Sequence, residues 1–145
     1  MTSRFAHWTS LVFIVFFGAI FLFGVSARAA RFEPIYNVTN HPLPVSAQRL
    51  PPQTIQQAIV DAALSYHWRI DSKGPGTIGA TYQRGKHQAV IAITYSQTAY
   101  SITLVRTSGM HQKTNGEINY NYNSWVRKLE TRIEDRLSAA SASTK

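Results

Sequence analysis

The stretch from 77 to 106 limits the fold more than any other part of the chain, because three β-type runs, TIGATYQ, HQAVIAITY and AYSITLVR, follow one another across two short polar turns. Apolar residues take alternate positions: Ile78, Ala80 and Tyr82; Ala89, Ile91, Ile93 and Tyr95; Tyr100, Ile102 and Leu104. A period of two puts one side of each strand against a core. The opposite side carries Thr77, Thr81, Thr94, Ser101 and Thr103 with Val90, Ala92 and Val105 among them, which predicts a sheet open to water on that side. Upstream, Trp68, Ile70 and Ser72 alternate with Arg69 and Asp71, adding a short strand before the turn Lys73-Gly74-Pro75-Gly76.

Helical periodicity flanks the run on both sides. Thr54 followed by Gln57 has the spacing of a capping box, and Ile55, Ala58, Ile59, Ala62, Ala63 and Tyr66 form one apolar stripe ending near His67. After a polar loop over 107–117, Tyr122, Trp125, Val126, Leu129, Ile133 and Leu137 define a second stripe, with Asn121 or Asn123 as the expected cap. Its charged side allows pairs such as Arg127 with Glu130 and Arg132 with Asp135. Asn115-Gly116 also permits a hairpin that brings Ile118 toward the sheet, although a loop is the preferred reading. The expected fold is therefore α+β and two-layered. A three- to four-stranded antiparallel meander carries two amphipathic helices on one face, in the order α-β-β-β-β-α.

The ends of the chain are of a different kind. Residues 1–30 run from Arg4 through an uncharged apolar stretch to Ala27-Arg28-Ala29, the order of a signal peptide, or of a signal anchor if it stays uncleaved. Residues 31–52 hold five of the six prolines and read as an irregular arm, with room for a short edge strand over 34–39. A single α+β domain then spans 53–137, and the small polar residues of 138–145 read as a disordered tail. With 145 residues and no cysteine, the domain must build its core without disulfides or thiolate metal sites.

The formal charge of +8 comes from 15 Lys and Arg against 7 Asp and Glu, and it favours anionic neighbours. Arg84, Lys86 and His87 cluster at one hairpin tip, while Lys73 and Arg106 fall at other strand ends, so these five are the candidate binding residues. Backbone N–H groups beside Lys73 are a further candidate anion nest. Export and core-facing tyrosines argue against nucleic acid as the partner. Catalytic spacing is missing: the acids form no converging pair, and His41, His67, His87 and His111 follow no metal-ligand motif.

Residues 75–80, Pro75-Gly76-Thr77-Ile78-Gly79-Ala80, and the later Asn121-Tyr122-Asn123-Ser124-Trp125-Val126 carry a resemblance. With the leader and first helix, they make the chain similar to a group of small uncharacterised Gram-negative envelope proteins, many of them read as lipoproteins. The resemblance spans about residues 34–137 and brings no activity with it. This chain departs from the group in having no cysteine to lipidate. It implies a periplasmic protein, or one anchored in the inner membrane through the N-terminal segment and facing the periplasm. The expected function is non-enzymatic binding of an envelope protein, or of an anionic lipid or polysaccharide, without a cofactor or metal. Two other readings stand beside it: a small hydrolytic or metal-dependent enzyme using His87 or His111, and a structural protein with no specific ligand.

Overall fold

The alternation seen in the sequence becomes a sheet whose inward residues are sealed. Ile78, Ala80, Ala89, Ile91, Ile93 and Ile102 are fully buried, and Tyr82 and Tyr100 nearly so. Each such isoleucine contributes about 2 kcal/mol of transfer free energy. The computed structural model describes residues 31–143, so the leader reading of 1–30 and the last two residues lie outside the described part. In chain order the elements are β1 (Phe32–Pro34), β2 (Val38–Pro42), a 3-10 turn (Ala47–Arg49), α1 (Pro52–Ser65), β3 (Arg69–Gly74), β4 (Thr77–Arg84), β5 (His87–Tyr95), β6 (Ala99–Ser108), β7 (Glu117–Asn119) and α2 (Tyr120–Ala142).

The fold is α+β. Its main sheet is antiparallel with order β2-β6-β5-β4-β3, and β1 pairs with β7 in a separate two-stranded sheet. Both helices lie on one face of the main sheet and pack on each other. At one end of that layer Tyr82 lies 4.6 Å from Trp125, 5.3 Å from Trp68 and 5.8 Å from Tyr66, ring centre to ring centre. The other face is uncovered, with Thr77, Thr94, Thr103 and Val105 exposed. Among the described residues no helix is long and apolar enough to cross a membrane.

Several expectations are corrected. The proline-rich arm is ordered: β2 adds a fifth strand at the sheet edge, beside β6, and takes a bulge between Val38 and His41 where Asn40 has φ +47°. Its prolines fit because an edge strand leaves half its N–H groups unpaired. The helix α1 starts at Pro52 instead of being boxed by Thr54, since proline's preset φ suits the first helical position. At its other end Trp68 N–H donates to Ala63 O and His67 N–H to Leu64 O, and His67 adopts φ +62°. That is a Schellman ending with histidine where glycine is usual.

The cap of α2 is Asn119, whose Oδ1 accepts from the Asn121 N–H at 3.1 Å, and neither Asn121 nor Asn123 fills that role. The Asn-Gly segment lets β7 pair with β1 and leaves the main sheet untouched. Helix α2 continues through Ser138 to Ala142, where disorder was expected, and Ser141 Oγ donates to Ser46 Oγ at 2.9 Å. Of the expected α2 ion pairs, Arg132–Asp135 forms loosely at 3.9 Å between exposed groups. Arg127 instead lies over the Tyr36 ring at 4.1 Å, leaving Glu130 to other partners.

One polar knot stands on the open face. Asp71 accepts from the Thr81 hydroxyl and from Arg69 Nε at 2.9 Å, which keeps Thr81 buried there. The Thr81 bond first, then Arg69 and more distantly Arg106, hold the Asp71 carboxyl below its ordinary range. A carboxyl depressed by folding stabilises the fold above its unfolded pKa of about 3.9, and that contribution disappears as pH falls through the lower folded value. Asp71→Asn is therefore expected to lower the melting midpoint at neutral pH and to flatten its decline below about pH 4. Midpoints recorded from neutral to strongly acidic buffer check this; an unchanged acid limb would remove Asp71 from the account.

Candidate functional site

The five candidate binding residues do not converge. Arg84 pairs with His87 across the β4–β5 turn, and Lys86 sits in that turn. The chain after β6 folds back on it: His87 Nδ1 is 2.7 Å from Gly109 O. Lys73 pairs with Ile78 near the far end of β4, about 20 Å from the tip at 3.3 Å per residue. Arg106 stands opposite Val90 on the open face, within reach of the Asp71 charge. One tip, one far end and one face are thus three places.

Lys73 alone belongs to a concave site. A groove of about 600 Å³ lies between the first turn of α1 (Pro52, Gln53, Gln56), the β3–β4 turn (Lys73, Gly74, Pro75, Gly76) and the end of β5 with its following turn (Tyr95, Ser96, Gln97). Side-chain amides fix its walls. Gln56 Nε2 donates to Gly74 O at 2.9 Å, and Gln97 Nε2 donates to both Gln48 O and Leu50 O at 2.7 Å. Tyr95 N–H donates to Gly76 O at 2.9 Å, tying the turn to β5. The walls offer apolar surface from Pro52, Pro75 and the Tyr95 ring, with the Lys73 ammonium and the positive end of the α1 dipole beside it. Among the described residues no acid lines the groove. Such a site suits a ligand with a negative head and an apolar or ring-shaped body.

A second cluster arises where the arm meets α2. Asn123 is buried and grips the arm: its Oδ1 accepts from Tyr36 N–H at 2.9 Å, and its Nδ2 donates to Pro34 O at 2.8 Å and Glu33 Oε2 at 3.2 Å. This hold places β2 so that His41, opposite Tyr100, faces the helix layer. Glu130 and Glu134, one helical turn apart, come to its two ring nitrogens: Nδ1 is 3.5 Å from Glu130 and Nε2 is 2.9 Å from Glu134. Tyr36 donates its hydroxyl to the other Glu130 oxygen at 2.7 Å, and that bond, followed by burial, raises the phenol above its ordinary range. Burial and then the charges of Glu130 and Glu134 push Tyr100 up as well.

Sequence reasoning missed this cluster because it assigned Glu130 and Glu134 to a solvated helix side and His41 to an irregular arm. The four-residue spacing of the two glutamates was its only local signal. His87 and His111 have no acidic partner among the described residues.

No protein-family model matches the chain, and a search of curated proteins finds no match. Geometry and charge therefore carry the functional reading.

Proposed function

We propose that the chain is a non-enzymatic binding protein of the bacterial envelope that holds an anionic headgroup or sugar end in the groove beside Lys73. The observation that supports this most is the groove's composition: one cation, a helix N-terminus and apolar walls, with no acid among its lining residues. Positive charge over the rest of the domain raises the local concentration of such ligands without selecting among them. The basic hairpin tip with Arg84, Lys86 and His87, three of the five residues expected from sequence, serves as an electrostatic guide in this reading.

Binding to phosphatidylglycerol vesicles against phosphatidylcholine vesicles at low ionic strength tests the reading. Lys73→Glu is expected to weaken capture about tenfold or more, since each basic residue near an anionic surface contributes about 1 kcal/mol and reversal counts twice. The double variant Arg84→Glu with Lys86→Glu is expected to slow association and leave more of the equilibrium binding intact. Full binding by the Lys73 variant, or loss only with the tip variant, would move the site away from the groove.

A further inference from the structure

We propose that His41, Glu130 and Glu134 form a binding site for one divalent transition-metal ion of the zinc class. The three donors come from an edge strand and from two successive turns of α2, and their ligand atoms lie within 4.8 Å of one another. Zinc binds imidazole nitrogen and carboxylate oxygen at about 2.0–2.2 Å, so two ligands of a tetrahedral ion stand about 3.4 Å apart. The separation of 3.5 Å between His41 Nδ1 and Glu130 already has that value. Glu134 stands at the other ring nitrogen, 2.9 Å from Nε2, so its side chain, 43 % exposed, must swing past the ring edge to share that ion with Nδ1 and complete the set. Two carboxylates neutralise the ion's charge. The imidazole favours zinc-class ions over magnesium, which prefers oxygen.

An imidazolium ring shared by two carboxylates would also account for the three side chains. It leaves Tyr100 unexplained. That residue is 1 % exposed, its ring lies 5.3 Å from the His41 ring, and among the described residues its hydroxyl, like that of Tyr122 and the indole N–H of Trp68, has no hydrogen-bond partner. A buried hydroxyl without a partner is destabilising, and a water bound to the ion supplies one. Tyr36 adds the outer support that metal carboxylates usually have, since its hydroxyl fixes the second oxygen of Glu130. On binding, the ion replaces the proton between ring and carboxylate, and that proton leaves to solvent.

Calorimetric titration of the purified protein with zinc sulfate, and separately with magnesium chloride, tests the site. The expected result is uptake of one zinc per chain, no comparable uptake of magnesium, and a melting midpoint that rises with free zinc. Glu134→Gln removes one of the three ligands and is expected to weaken zinc binding by at least the roughly tenfold that loss of an outer-shell partner costs. Tyr100→Phe should bind zinc more weakly while melting no lower than wild type without metal, because it removes only the unpartnered hydroxyl. His41→Gln should abolish uptake; if that variant misfolds, the exposed Glu134 variant still decides. Absence of saturable zinc binding, or uptake unchanged in the Glu134 and Tyr100 variants, would overturn the proposal and assign any bound ion to another histidine.

Discussion

Gly109→Ala is expected to be the most damaging glycine-to-alanine change among the described residues. A Cβ at Gly109 would stand 1.9 Å from Lys86 O and 2.8 Å from the Lys86 carbonyl carbon, and the residue has φ +66°. Neither atom can give way easily, because Lys86 lies in the tight turn joining β4 to β5 and His87 is held to Gly109 O. Left-handed strain and backbone overpacking together should cost about 3 kcal/mol or more. Gly85→Ala supplies the control, since its φ of +58° carries similar strain while, beyond its chain neighbours, no described residue comes within 4 Å of the added Cβ. Its cost should stay near 1–2 kcal/mol. Urea unfolding of both variants separates the terms, and equal midpoints would mean that the Gly109 approach is looser than described.

The second large effect belongs to Asn123. Leucine fits its volume but leaves the Tyr36 N–H and the Pro34 carbonyl without their partners at the foot of the arm. Both groups are only partly buried, so each costs about 1 kcal/mol when abandoned, and Asn123→Leu should lose about 2 kcal/mol. The loss should also be local. Amide exchange is expected to speed up in β1 and β2, while β4, β5 and the centre of β6 keep their protection until global unfolding. Uniform acceleration across the sheet would show instead that the arm and the meander open as one unit.

The meander was legible because its information is local: a period of two needs only neighbours, and Ile78 to Ile102 obey it. Its failures have local causes as well. The bulge between Val90 and Ile91 on β5 and their partners on β6 skips Val105, leaving that residue 58 % exposed and Leu104 only partly covered. The edge strand was harder to read, because β2 is specified by its pairing with Tyr100 and Ile102, far along the chain, and local prolines speak against it. Small residues after Leu137 resembled a tail; in place, Ala140 packs against the core cluster and the helix continues. Of the candidate sites, Lys73 and its turn were visible as a composition of charge and glycine. The His41 cluster was not, because no sequence window contains both the arm and α2.

The clamp of the arm by Asn123, Glu130 and Glu134 has a consequence in time. Contacts such as Tyr36–Glu130 and Pro34–Asn123 join residues separated by 94 and 89 positions, so they form late, after the loop-closure cost of the intervening chain has been met. A chain emerging residue by residue presents its arm before the helix that receives it. The meander can pair beforehand and β2 can join it beside β6, whereas the contacts of Pro34 and Tyr36 have no partner until α2 is made. Completion of the helix is thus the event that turns a partly folded chain into the finished surface.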